Sequence, residues 1–173
     1  MIVKLIISTL IVGCSTLIGV IYAKSYTERT KLLNNIIGTL QMLESEIVYS
    51  ATPLPLLLKK ISKRSKSEIA KIFSKTVEIL EKKDGQTFSD AWQLAIKEET
   101  KHSVLKKEDI ELLIQLGNSL GISDIDDQVK HIRLAMEEIK RSYEQSIVEQ
   151  NKNVQLYKNL GFLFGISVVI ILF

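Results

Sequence analysis

The sequence predicts an all-α protein, a cytoplasmic bundle of about six helices flanked by N- and C-terminal transmembrane helices. Three observations predict it. An uncharged apolar run opens the chain, another closes it, and between them apolar residues recur at the 3.6-residue spacing of helices. With 8 Gly and 2 Pro in 173 residues, a sandwich, a barrel or a disordered linker is disfavoured. A chain with 25% charged residues would ordinarily have a negative mean hydropathy, yet this one stands at +0.14. The apolar surplus sits at the two ends.

From Leu5 to Ala23 no charge interrupts the chain, and Lys4 and Lys24 bracket the run. About 19 helical residues rise about 28 Å, close to the ~30 Å hydrocarbon thickness of a bilayer. Tyr22 and Tyr26 fall where an interfacial aromatic belt is expected. A cleaved signal peptide ending at Ala23 is the competing reading. Its basic region would be Lys4 alone, and its apolar run exceeds the usual length. The closing run, Leu160 to Phe173, rises only about 21 Å, so the second span begins near Val154 or Leu156, with Lys158 snorkelling to the headgroups. A buried core helix is its competing reading.

Both spans carry small residues four apart: Ser15, Gly19 and Ala23 in the first, Gly161 and Gly165 in the second. Such stripes let helix backbones approach closely where lipid supplies no hydrophobic drive. Lys24, Arg29 and Lys31 follow the first span, and Lys140, Arg141, Lys152 and Lys158 precede or enter the second. The positive-inside rule then places the centre in the cytoplasm. The implied divisions are 1–24, 25–153 and 154–173.

Within the centre, Leu33, Ile36, Ile37, Leu40, Leu43 and Ile47 form the first stripe. Thr52 is placed to cap a second helix with Pro53 at its first position, burying Leu54, Leu57, Leu58 and Ile61. Ser65 or Ser67 caps a third, with Ile69, Ile72, Phe73, Val77 and Leu80 inward, and Gly85 ends it. Thr87 and Asp90 are spaced as a capping box for a fourth, carrying Ala91, Trp92, Ala95 and Ile96. A fifth begins around Ser103, with Leu105, Ile110, Leu113, Ile114 and Leu116, and ends at Gly121. Ser123 or Asp124 opens the sixth. Its seam of Ile125, Val129, Ile132, Met136, Ile139 and Tyr143 alternates four and three apart. No Gly or Pro then stops the helix before the second span, so one rod is expected.

Chemical motifs are lacking. There is no phosphate loop, no H-E-x-x-H, no C-x-x-C and no G-x-S-x-G. The single Cys14 lies in the first span and excludes an intrachain disulfide. Gly117 and Gly121 read as a packing contact and a helix end, and His131 as a surface or boundary residue. No catalytic residue, cofactor or metal is expected, and no small-molecule substrate. Lys59, Lys60, Lys63, Arg64, Lys66, Lys71 and Lys75 cluster with Glu68 as the one acid among them. A solvated face explains them, as does an anionic lipid surface or an acidic partner. Nucleic acid is disfavoured because no aromatic residues interleave for stacking.

Several stretches resemble a known family. They are Tyr26 to Leu54, Asp84 to Trp92, Leu113 to Ile132 and the tail Asn159 to Gly165. The motifs L-E-x-E-I-x-Y-x-x-T-P-L, from Leu43 to Leu54, and L-G-x-x-L-G-x-x-D, from Leu116 to Asp124, carry most of the signal. The chain thereby resembles the stage III sporulation protein AB family over essentially its whole length. Thr30 departs from that pattern, standing where a Pro is expected. The family is similar in its cytoplasmic domain to the inner-membrane platform proteins of type II secretion and type IV pilus machines. The resemblance implies a structural subunit of a channel between mother cell and forespore, in the mother-cell membrane around the forespore. The implied partners are the AA-type ATPase of the same set and other channel membrane subunits. Glu44, Glu46, Lys59, Lys60, Lys63 and Arg64 are candidate partner contacts. The rival is a membrane-bound signalling or adaptor protein unrelated to secretion, which would bind a regulator instead.

Overall fold

The structure is a computed structural model and describes residues 2–50, 52–65, 67–82, 85–121 and 124–172. The described residues form six helices, α1 (Ile2–Tyr49), α2 (Leu54–Arg64), α3 (Glu68–Glu81), α4 (Phe88–Glu99), α5 (Lys107–Ser119) and α6 (Ile125–Leu172). No strand occurs among the described residues. The chain is all-α, with two long apolar terminal helices.

Two compact units divide it: Met1–Thr30 with Glu144–Phe173, and Lys31–Tyr143. These divisions follow helix packing, whereas the divisions at 24 and 154 concern lipid, which is a separate matter. α1 continues unbroken through Thr30, whose hydroxyl donates to the Tyr26 carbonyl at 3.1 Å. A proline there would have lacked the N–H and clashed with the preceding turn. α6 runs without interruption from Ile125 to Leu172, the single rod that its sequence predicts.

The core of unit Lys31–Tyr143 follows the apolar stripes closely. Leu33, Ile36, Leu40 and Leu43 of α1 pack with Leu57, Leu58 and Ile61 of α2, and with Ile69, Ile72, Phe73 and Val77 of α3. Ala91, Trp92, Ala95 and Ile96 of α4, Leu113 and Leu116 of α5, and Val129, Ile132 and Ile139 of α6 complete it. Ile37, Leu54, Leu80, Leu105, Ile110, Ile114, Met136 and Tyr143 are only partly buried against that core. Ile125 corrects the seam of the sixth helix: it is 53% exposed, because it directly follows the helix cap and lies before the turn that meets the core.

Close packing fixes α4 on α5. The Trp92 indole is fully buried between Phe73 and Phe88, with ring centroids 5.5 and 5.9 Å away. Its Nε1–H donates to the Leu113 carbonyl at 2.7 Å. Gly117 lies directly beneath the ring, so near that a Cβ would fall 2.0 Å from Trp92 Cδ1. Gly121, with φ +80°, makes the left-handed turn after α5, where a β-carbon would be strained.

Four helix starts differ from the sequence reading or narrow it. α2 begins at Leu54 with Pro53 as its cap residue, one position later along the chain than a Thr52 cap with Pro53 inside the helix. Thr52 precedes a proline and is biased to extended backbone, and its hydroxyl bonds to that of Ser50 instead of a helix N–H. Pro53 then accepts from Leu56 and Leu57 N–H through its carbonyl, and neither Pro53 nor Pro55 owes an N–H at its position. α5 begins at Lys107, not around Ser103. The Ser103 hydroxyl holds a turn by accepting Leu105 N–H, and the helix starts where the buried Asp109 carboxylate accepts Lys106 N–H at 2.9 Å. Of the two candidates for α3, Ser67 takes the cap position, but its hydroxyl pairs with Ser65. Asp124 caps α6, its carboxylate accepting Asp127 N–H at 2.8 Å. The alternative Ser123, like Lys66 of the basic cluster, lies outside the described residues.

The capping box of α4 forms as its spacing predicts. Thr87 Oγ1 accepts Asp90 N–H at 3.2 Å, and the Asp90 carboxylate accepts Thr87 N–H at 3.2 Å and the Thr87 hydroxyl at 2.7 Å. The Thr87 hydroxyl, and then its backbone N–H, hold the Asp90 pKa below the ordinary carboxylate value. A depressed folded-state pKa stabilises the fold above the unfolded value, about 3.9, and that contribution is lost as pH falls through the folded value. Asp90→Ala should therefore melt at a lower temperature than the parent at neutral pH. The difference should close on acidification below about pH 4. Thermal melts by circular dichroism across pH check this, and a gap that persists at pH 2 would contradict it.

Candidate functional site

In the unit formed by the two chain ends, α1 and α6 pair along their small residues. The Ser15 hydroxyl donates to the Gly161 carbonyl at 2.6 Å. A Cβ added at Gly19 would meet Tyr157 O at 2.5 Å and Gly161 Cα at 3.0 Å. One added at Gly161 would meet Ser15 O at 2.8 Å, and one at Gly165 would meet Val12 Cα at 2.9 Å. Ala23 is fully buried in the same unit. The structure thus brings Ser15 and Gly19 against Gly161, and Ser15 against Gly165.

The pair is tied at one end by polar and aromatic contacts. Tyr157 stacks on Tyr22 and Tyr26, with centroids 6.0 and 5.7 Å away. Beyond them Arg29, buried, meets Glu149 at 3.4 Å. No local pattern announces these contacts, because their partners lie more than a hundred residues apart in the chain.

Outward, the pair presents Leu5, Leu10, Leu17, Ile21, Phe162, Phe164, Ile170 and Ile171, all exposed. Both helices are long and apolar enough to cross a membrane, and only 6% of each apolar window is buried by protein. That exposure removes the core-helix reading of the closing run. The hydroxyls of Ser8, Thr9, Thr16 and Ser167 each donate to the carbonyl four residues earlier. Polar groups in hydrocarbon must find such internal partners.

In the unit Lys31–Tyr143, the candidate contact residues are largely paired with one another. Glu46 accepts from Lys60 at 2.7 Å and from Arg64 at 3.3 Å, joining α1 to α2. Glu44 accepts from Arg133 at 2.6 Å, joining α1 to α6, so the two acids do face different ways. Lys59 meets Glu81 at 2.7 Å. Lys75 lies 3.3 Å from both Glu78 and Glu98, and those hydrogen bonds, Glu78 first, raise its pKa. The basic cluster is thereby less cationic as a surface than as a sequence, and Lys63 stands in it without a carboxylate partner among the described residues. Exposed pairs of this kind contribute about 0–1 kcal/mol each.

Among the described residues no three His, Cys, Asp or Glu side chains could hold a metal ion. His131 is exposed, beside a shallow depression with Gln115, Ser119 and Glu138. Asn118, between Gly117 and Gly121, accepts from Ser89 at 2.6 Å and Gln93 at 3.2 Å, so that segment serves packing between α4 and α5.

Comparison with known proteins adds what geometry cannot. The family model described as Stage III sporulation protein AB matches residues 4–173. The chain belongs to the stage III sporulation protein AB family. Stage III sporulation protein AB of Bacillus subtilis (strain 168) is 35% identical over 169 residues, covering 98% of each chain. A solved structure of a stage III sporulation protein AB is similar with a TM-score of 0.66 and 32% identity, over 72% of this chain and 98% of that one. The relatives are named as sporulation proteins and not as enzymes. As a member of the stage III sporulation protein AB family, this chain is a sporulation protein with two helices suited to a membrane.

Proposed function

We propose that this chain is a non-enzymatic platform subunit of a secretion-like channel between mother cell and forespore. Its paired terminal helices anchor it in the mother-cell membrane around the forespore, and its central unit faces the cytoplasm and docks an AA-type secretion ATPase. One observation carries the reading. A lipid-compatible helix pair and a charged helical unit share two continuous helices, α1 and α6, so that force on one can be passed to the other through hydrogen-bonded backbone. The basic residues flanking both spans support the orientation.

Two measurements test it. Reporter fusions within the central unit and at both termini should place the centre inside and the termini across the membrane. Purified full chain in detergent should bind the AA-type ATPase of its own organism, and Lys63→Glu should weaken that binding by about tenfold, the scale of a desolvated interfacial charge pair. Lys63 is the informative member of the contact set because reversing it breaks no internal pair. Binding to a regulator in place of the ATPase would favour the signalling or adaptor reading, and unchanged affinity would remove Lys63 from the contact.

A further inference from the structure

At the end of the helical unit where α1 finishes and α6 begins lies an open cavity of about 650 Å³. Its wall is apolar: Ile47, Leu54, Leu57, Leu80, Phe88 and Ile125. The volume falls within the ~300–1,000 Å³ of specific binding pockets. Three separate segments converge on it, bringing Leu54, then Phe88, then Gly121 with Ile125. They are the same three segments of the central unit whose motifs carry the family resemblance. Leu54 packs over Gly121, whose Cβ position lies 3.3 Å from Leu54 Cδ2, so the floor is built from these motifs directly.

The chemistry of the rim and wall narrows the occupant. The lining hydroxyls of Ser50 and Thr52 bond to each other, and Gln128 is the one other polar side chain among the lining residues, a sparse set for orienting a small polar ligand. Ile125 projects at the mouth, 53% exposed. Beside it stand the cap residue Asp124 and, in the first turn of α6, Asp126 and Asp127, all exposed, with no salt-bridge partner among the described residues. These acids disfavour an anionic lipid surface. A second copy docked through the same face would set the three aspartates against themselves, because a two-fold contact repeats its own patch. A cationic neighbour satisfies them.

We propose that this cavity is a docking site for an apolar segment of a different protein, one that inserts large aliphatic or aromatic side chains and carries Lys or Arg beside them. The inserted side chains replace water over the apolar wall, while the flanking cations meet Asp126 and Asp127. This surface is distinct from the basic face of α2, and it goes beyond the platform reading by giving the central unit a second, acidic-rimmed contact.

The test uses the full chain in sporulating cells, with a benzophenone amino acid in place of the exposed Ile125. Irradiation should yield an adduct whose partner peptide, located by mass spectrometry, is apolar and carries Lys or Arg within four residues of the attachment point. Asp126→Lys with Asp127→Lys should cut adduct yield by about tenfold, as reversal of rim charges does, with unchanged helical content at the temperature of irradiation. An adduct to a second copy, to lipid, or to a segment without cations overturns the proposal, as does no adduct at all. ATPase binding that persists in the doubly reversed variant leaves the platform reading in place.

Discussion

Gly117→Ala should destabilise the helical unit by about 3 kcal/mol, at the upper end of the usual cost of overpacking. The added carbon would lie 2.0 Å from Trp92 Cδ1 and 2.6 Å from both Cγ and Nε1, where packed carbons sit at ~3.5–4 Å. The ring has nowhere to retreat. Phe73 and Phe88 flank it, and moving it would pull Nε1–H away from the Leu113 carbonyl, leaving a buried donor unsatisfied at a further cost of about 1–3 kcal/mol. A double-mutant cycle separates this clash from any general effect of alanine. Trp92→Leu alone should itself cost several kcal/mol, about 3 as a large-to-small core change. In that background Gly117→Ala should be neutral or stabilising, since alanine is favoured over glycine in a helix by about 1 kcal/mol. Additive losses in the cycle would show that the indole is not what requires glycine.

Gly19→Ile should separate α1 from α6 in membranes. Even the first carbon of that side chain would stand 2.5 Å from the Tyr157 carbonyl oxygen and 3.0 Å from Gly161 Cα. These are backbone atoms of a helix and cannot turn aside as a side chain can. The two helices must move apart, and the Ser15 to Gly161 hydrogen bond and the stacking on Tyr157 go with them. A steric cost of about 1–3 kcal/mol corresponds to roughly a tenfold or larger loss of the paired state. Cysteines replacing Tyr22 and Tyr157, in a chain with Cys14→Ser, should join on oxidation, and Gly19→Ile should remove most of that product. Gly13→Ile is the control: nothing lies within 4 Å of its Cβ position, so cross-linking should survive. Equal losses from both substitutions would mean that the helices do not meet along this face.

Much of the architecture was legible because it is local. Thr87 and Asp90 sit three residues apart, and a capping box needs nothing further away. Gly121 ends α5 because one residue there must be left-handed, and the apolar stripes of α1 to α4 mark their buried faces by period alone. Composition was enough to locate the two apolar helices. The start of α5 carries the same spacing in a less conspicuous form: Asp109 stands three residues after Lys106 as Asp90 does after Thr87, but lysine, unlike threonine, is not a usual cap residue. The shift at α2 is a competition between Thr52 and the proline after it, which sequence patterns do not rank.

By itself the sequence determined the number and kind of helices, the two lipid-compatible ends, the family and the unbroken course of α6. Each depends on residues a few positions apart. Only the tertiary structure decided that Glu46 neutralises Lys60 and Arg64, that Arg29 meets Glu149, that Gly117 makes room for Trp92, and that Leu54, Phe88 and Ile125 line one cavity. Those pairings depend on which faces of separate helices meet and at what register. Helical period specifies the face that turns inward, but not the neighbour that it meets there.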